Sequence, residues 1–379
     1  MVQKYDLIIV TGEPFPWGKA ASNRLLCYAT AMAKTKKVLV LTFCSPYNEN
    51  PTICGCIGGV EYRYMQRSRR RPVQLIRLMS LIYRYIKLLW LLFFRYKAPV
   101  AIFLSRKLAY AAIVKCILYL KGTKLYREIS ETPDNIKKKW RRNVALKMNV
   151  IFDGFIVISS GIEESLKPYA KRDANYFLLP VLVDMERFNL EKVAKRNVAF
   201  YCSGGNVERD GLLDTLAGFL QYRQYYKNEI KLEIATTLNL NDAYHRKVKD
   251  IIIKHPDVFT YLGCLHTTDI PYKLMEAQVL LLTPTQNYLT RGFPTKLGEY
   301  LASGTPVICS SIDDLREQIP EDVVRFVAPN SPVSIFEALQ DILSNPVEAN
   351  ALGGVGRRWV ACNYTMDGFA QSLISFLGI

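Results

Sequence analysis

Arg291-Gly292-Phe293-Pro294-Thr295-Lys296-Leu297-Gly298-Glu299-Tyr300-Leu301-Ala302-Ser303-Gly304-Thr305-Pro306-Val307-Ile308 passes from loop to helix to strand within a few turns. Gly292 gives the loop freedom, Pro294 falls near the first helical position and Gly304 just past the last. Pro306-Val307-Ile308 then opens a strand. A helix N-terminus offers unpaired backbone N–H groups and the positive end of a dipole, and Lys296 adds a full charge there. Glu299, one turn on, has oxygens enough to accept from two hydroxyls at once, as a ribose diol presents them. Phosphates at the helix tip with a ribose further along fit a nucleoside diphosphate; an ordinary capped helix fits the same residues equally well.

Outward from this stretch, short apolar runs alternate with helical segments along the chain. Strands are expected at Lys4–Val10, Lys37–Phe43, Val100–Leu104, Phe155–Ser159 and Phe177–Val183, with a helix over Asn23–Lys34. A second set follows at Asn197–Cys202, Lys231–Ala235, Val258–Leu262, Val279–Thr283 and Pro306–Ser310, with helices at about 212–226, 241–254, 268–277 and 295–303. Two such sets imply an α/β chain of two doubly wound, Rossmann-like domains, which 379 residues accommodate. Expected bounds are 1–184 for the first domain, 185–196 for a charged linker and 197–356 for the second. A ligand is expected in a central cleft, at the carboxyl ends of the two facing sheets.

Two further segments carry phosphate-binding character. Val198-Ala199-Phe200-Tyr201-Cys202-Ser203-Gly204-Gly205 followed by Arg209-Asp210-Gly211-Leu212 reads as strand, glycine-rich turn and basic residue before a helix. A surface arginine capping a turn is the plainer alternative. After the first strand, Glu13-Pro14-Phe15-Pro16-Trp17-Gly18-Lys19-Ala20-Ala21-Ser22-Asn23-Arg24 has small residues that let a ligand approach the backbone, or is a simple strand-to-helix connection capped by Ser22 or Asn23.

Taken together, these segments resemble the retaining glycosyltransferases of family four (glycosyl transferases group 1), which have the GT-B fold. In that family two glutamates separated by seven residues flank the loop, followed by A-x-G-x-P-V. This chain has the second as Glu299 and the trailing Ala302, Gly304, Pro306 and Val307, while Arg291 stands at the first. Phe293 to Tyr300 is similar to a family branch reading F-P-[ST]-K-x-x-E-Y, found in polysaccharide assembly. The resemblance covers nearly the whole chain and is least characteristic over 62–127.

The resemblance implies a transferase moving a sugar from a UDP- or GDP-sugar to a lipid-linked or growing-glycan acceptor with retention, without metal or other cofactor. Arg209, Lys296 and Glu299 would be catalytic. Gly204, Gly205, Gly292, Phe293, Pro294 and Thr295 would bind the nucleotide sugar; Gly18, Asn23 and Arg24 would face the acceptor. A C-terminal helix over 357–379 would pack back on the first domain. The family often carries a first-domain histidine near the reacting sugar, but the three histidines here, 245, 255 and 266, all lie in the second half. Ser105, Arg106, Glu128 and Glu131 are polar candidates for its place. No D-x-D carboxylate pair occurs to hold a metal-bound diphosphate.

The net charge of +16 raises nucleic-acid binding, yet its distribution argues against that partner. Tyr62 to Arg127 holds 16 Lys and Arg and no acid, and the rest of the chain has 34 of each sign. The segment opens with the Arg67-Ser68-Arg69-Arg70-Arg71 cluster and continues into a helical pattern over Val73–Tyr96. Arg77, Arg84 and Arg95 fall within about 20° of each other on a helical wheel. Leu88–Phe94 is its longest uncharged run, far short of a span of roughly 20 residues. An in-plane helix on an anionic membrane surface through 63–97, or a core helix with a solvated arginine stripe, both suit the pattern. Nine scattered cysteines without metal spacing read as reduced thiols, and the N-terminus runs straight into a strand, so a cytoplasmic protein, peripheral on the inner membrane face, is expected. A GT-B epimerase or phosphorylase and a membrane-bound, non-catalytic subunit remain alternatives.

Overall fold

A computed structural model describes all residues except 1, 19, 45–49, 51, 67–73, 106–107, 131–138, 192, 287–294 and 313–314. The chain divides into two units. One runs from Met1 to Leu182 and takes in Met366–Ile379; the other runs from Val183 to Thr365.

The first unit is built on an eight-stranded sheet. Asn175–Leu178, Gly154–Val157, Lys124–Ile129, Val100–Leu104, Leu7–Thr11, Val38–Thr42, Val60–Tyr64 and Cys54–Ile57 lie side by side in that order. All neighbours are parallel except the last pair, a hairpin turned at Gly58 and Gly59. Every residue of Leu7–Thr11, Val38–Thr42 and Val100–Leu104 is buried, as expected of parallel strands covered on both faces. One face is covered by the helix Ala20–Ala33, whose Leu25, Tyr28 and Met32 join a core completed by Leu373, Ile374 and Leu377 of the helix Ala370–Leu377.

The helix expected over 73–96 is present as Gln74–Trp90 with a π-helical turn over Leu91–Arg95. Its apolar residues are unequally used. Tyr85, Leu88, Leu91 and Leu92 are buried, whereas Leu78, Met79, Ile82, Tyr83, Ile86, Trp90, Phe93 and Phe94 are exposed. Ser80, Arg84 and Lys87 are half-buried and Arg95 is exposed, so of the two pictures the sequence allowed, the core helix with a solvated arginine stripe and an internal apolar face does not describe these residues. The Arg67–Arg71 cluster lies outside the described residues.

In the second unit Phe259–Gly263, Lys231–Ala235, Val198–Cys202, Val279–Leu282, Val307–Ser310 and Arg325–Val327 form an all-parallel sheet. Numbered by chain position, their order is the 3-2-1-4-5-6 of a Rossmann sheet. The strand order reverses between Val198–Cys202 and Val279–Leu282, which locates the ligand crevice of such a sheet outside their carboxyl ends.

Two expected boundaries shift. The helix Pro346–Asn363 stays with the second unit, and the return to the first begins at Met366, not 357. A Cβ on Gly353 would lie 2.2 Å from the Gly304 carbonyl, so only glycine lets this helix sit so close to the 303–306 turn. Arg357 Nη1 also donates to the Ala302 carbonyl at 2.8 Å. Residues 185–196 are likewise no free linker. Lys195 Nζ donates to the Ala277 carbonyl and Thr305 Oγ1, both at 2.7 Å, and Arg196 pairs with Glu233 and Glu276. These bonds fasten the segment to the second unit; its charged composition reflects partners within that unit, not solvation.

Candidate functional site

The strand Val198–Cys202 ends at the reversal point and turns through Ser203, Gly204 and Gly205 into the helix Leu212–Tyr226. Gly205 has φ +99° and Gly211 φ +70°. A Cβ on Gly211 would meet the Thr283 carbonyl at 1.8 Å, so this turn closes against the neighbouring strand end only with glycine there. The Arg209 carbonyl accepts from Thr285 N at 2.9 Å, completing the clasp between the two strand ends.

Asp210, only 6% exposed, organises the polar groups at this point. Ser203 Oγ donates to its Oδ2 at 2.7 Å, Arg209 Nε donates to Oδ1 at 3.0 Å, and Lys296 Nζ stands 3.5 Å from Oδ2. Two of the residues singled out in the sequence, Arg209 and Lys296, are thereby brought to one carboxylate, although 86 residues separate Lys296 from Asp210. Two cations are thus gathered at one buried carboxylate. The start of the helix Thr295–Ala302 adds the positive end of its dipole. Tyr300 ties this helix to the sheet: its buried hydroxyl accepts from Cys202 N at 3.0 Å, and burial pushes its phenol well above the usual range. Burial likewise raises the Cys202 thiol to about 11.

Glu299 lies one turn along the same helix. Its Oε1 accepts from Arg187 Nη1 at 2.5 Å, and Arg187 Nη2 donates to the Thr267 carbonyl at 3.3 Å. Both side chains are about a quarter exposed, at 24% and 23%, so the carboxylate is held and still reachable. Asp210 and Arg187 were not among the residues expected to act. Asp210 stood in the quoted motif, where a buried acid beside a glycine-rich turn was a usable signal. Arg187 lies in the supposed linker, and nothing local marks it.

Gly292, Phe293 and Pro294 lie outside the described residues, as does the Thr295 side chain. In the first unit Gly18 abuts Ser22, Asn23 is half-buried on its helix, and Ser105 follows the strand Val100–Leu104. Arg24 departs from its expected place on the acceptor side. It is buried, its Nε donates to Glu128 Oε1 at 2.8 Å, Nη2 donates to the Leu179 carbonyl at 2.5 Å, and Nη1 donates to the Pro180 carbonyl. Glu128 also accepts from the Tyr28 hydroxyl at 2.6 Å. This closed network pins a helix to the end of the sheet, so neither Arg24 nor Glu128 is presented to a ligand. Arg106 and Glu131 are outside the described residues. Among those described, no group of three or more His, Cys, Asp and Glu is placed to hold a metal.

Solved structures with the same arrangement cover almost all of the chain. Sucrose-phosphate synthase from Thermosynechococcus elongatus superposes with a TM-score of 0.75 at 16% identity, over 99% of this chain and 98% of its own. Anabaena HepE, solved in complex with UDP and glucose, superposes with a TM-score of 0.75 at 12% identity, over 99% of both chains. The fold is GT-B. Within this GT-B chain, residues 196–345 match the family model described as glycosyl transferases group 1, which supports that family for the second unit. The MMP alpha-(1->4)-mannosyltransferase of Mycolicibacterium hassiacum is 24% identical over 204 residues, 53% of this chain. The chain spans about half the length of that curated relative, 48% of it.

Proposed function

We propose that the chain is a glycosyltransferase moving a sugar from a nucleoside diphosphate sugar to a lipid-linked or growing-glycan acceptor, with retention, on the cytoplasmic face of a membrane. The observation that carries this reading is the meeting of Arg209 and Lys296 at Asp210, with Glu299 one turn beyond, at the reversal point of a Rossmann sheet. The diphosphate occupies the cationic end and the ribose diol reaches Glu299. The complexes of HepE with UDP and with UDP-glucose support a nucleotide sugar as donor, and the mannosyltransferase relative supports a glycan-building role.

In the reaction the bond between the sugar's anomeric carbon and the diphosphate oxygen breaks, and the acceptor oxygen forms its bond on the same face. The acceptor's proton passes to the departing phosphate oxygen. Charge grows on the leaving group, and Arg209, Lys296 and the backbone N–H groups at Thr295 are arranged to stabilise it; such preorganised electrostatics is usually the largest catalytic contribution. Basic groups take the place of a metal, so turnover should survive excess EDTA. The exposed apolar side of the helix Gln74–Trp90, within the basic segment, supports peripheral membrane contact. Among the described residues no helix is long and apolar enough to cross a membrane.

The test is a thermal-shift panel of UDP, GDP, ADP and their sugars, since a ligand bound to the native state raises Tm. One nucleotide series should stand out, and its sugar should appear in the product with its anomeric configuration kept. A flat panel sinks the donor site, and an inverted product sinks the retaining path.

A further inference from the structure

We propose that the helix Lys139–Lys147 and the carboxyl end of the helix Leu108–Leu120 join the outward side of the helix Gln74–Trp90 in a single face that docks on an anionic bilayer. The inference rests on the membrane association proposed above and extends it to residues outside 63–97.

The topology places these elements together. From Val60–Tyr64 the chain crosses to Val100–Leu104, then to Lys124–Ile129, then to Gly154–Val157, always towards the same edge of the sheet. Parallel crossovers are right-handed, so the crossovers that carry the helices Gln74–Trp90, Leu108–Leu120 and Lys139–Lys147 run on one side of the sheet. The step from Leu7–Thr11 to Val38–Thr42 runs the other way, which puts Ala20–Ala33 on the opposite face. A direct contact fixes the junction of the first two helices. Lys121 Nζ donates to the carbonyls of Leu92, Phe93 and Tyr96 at 2.8, 3.1 and 2.6 Å. Tyr119 and Leu120, each 74% exposed, therefore stand beside the end of the first helix, where Trp90, Phe93 and Phe94 are exposed.

The helix Lys139–Lys147 supplies the second observation. None of its residues is buried, so the core of the unit does not claim it. Trp140 and Val144, one turn apart, are 62% and 53% exposed. Lys139, Arg141, Arg142 and Lys147 accompany them without an acidic residue, and the Arg141 guanidinium lies 5.2 Å from the centre of the Trp140 ring. Exposed aromatic and aliphatic groups flanked by cations are the composition of an element lying in a headgroup region.

Charge selects the occupant. The elements of this face hold no Asp or Glu, so a second copy packed symmetrically by the same face would bring positive charge against positive charge. An anionic bilayer offers the complementary sign and is broad enough to meet several helices at once.

The full-length protein, with Trp17, Trp90 and Trp359 replaced by Phe, reports on Trp140 alone. It is mixed with vesicles of equal phosphatidylcholine and phosphatidylglycerol, with brominated acyl chains as quencher. We expect co-sedimentation, quenching of Trp140, and at least a tenfold loss of partition in the wild-type background on R141E/R142E or W140S/V144S. A nucleotide-induced thermal shift equal to that of wild type confirms that the variants are folded, and since they alter no buried side chain, folding should hold. Protein that sediments with vesicles while Trp140 stays unquenched and R141E/R142E binds normally overturns the three-helix face but leaves membrane association standing. Absence of sedimentation at low salt overturns both. Trp140 buried in a dimer without vesicles also refutes the proposal, assigning the face to a second copy.

Discussion

Replacing Glu299 by Ala tests the donor site most directly. Its carboxylate is about three-quarters buried and held by Arg187 at 2.5 Å. A hydrogen bond to a charged group contributes about 1.5–3 kcal/mol. Two such bonds would give more, but Arg187 already engages one oxygen and the carboxylate is partly exposed, so about 2–3 kcal/mol for the pair is the reasonable figure. That corresponds to roughly a 30- to 150-fold rise in Kd. Calorimetry with the preferred nucleoside diphosphate and its 2′,3′-dideoxy analogue gives the measurement. Wild type should discriminate against the analogue by about the factor lost in Glu299→Ala, and the variant should bind both alike. Arg187→Ala should weaken binding several-fold by loosening the carboxylate, and should add nothing in the Glu299→Ala background. A folded Glu299→Ala protein that binds nucleotide like wild type, or still tells the two nucleotides apart, would falsify the assignment.

Lys296→Ala should weaken nucleotide binding or turnover at least tenfold, whereas Arg209→Ala should lower kcat more than it raises KM, because diphosphate charge grows in the transition state; equal losses from Arg209→Ala in both would remove that role. Glu128→Ala leaves Arg24 buried beside no carboxylate and should cost about 3–5 kcal/mol by chemical denaturation, with nucleotide affinity unchanged; acceptor KM altered without loss of stability would return the pair to the acceptor side. Burial lowers the Lys195 amine to about 8 from its ordinary 10.5. The unfolded chain then binds more protons than the folded one between those values, so wild type should gain stability relative to Lys195→Met as pH rises from about 8 to 10; a difference in Tm that stays flat or falls across that window contradicts the burial.

The elements legible in the sequence are those whose pattern is local. Val100–Leu104, Lys231–Ala235 and the helix Leu212–Tyr226 occupy the residues their hydrophobic spacing indicates. Lys124–Ile129 was passed over because Lys, Arg and Glu interrupt it, yet all but its first residue are buried. Glu128 is matched by Arg24 and Tyr28 from another helix. Arg127 has the Asn149 side-chain oxygen and the Phe152 ring, and burial still brings its guanidinium down to about 9. The strand Cys54–Ile57 is short and mostly exposed, and no hydrophobic alternation of its own signals it.

The same reasoning separates side chains whose bonding is largely spent inside the unit from those still placed to meet a ligand. Sequence supplies a side chain's chemical type; whether its bonding capacity is already spent depends on a partner that folding delivers from far away. Arg24 meets Glu128 across 104 residues and two carbonyls across still more, so each nitrogen of its buried guanidinium is bonded inside the unit. Arg209 and Lys296 share the single carboxylate of Asp210, itself engaged by Ser203, while more than a quarter of each cation's side chain faces solvent. One arrangement closes on itself, and the other gathers two part-exposed cations at the start of a helix. An anion therefore gains from binding at the second cluster and has nothing to gain at the first, although both arginines looked equally available beside their glycine-containing loops.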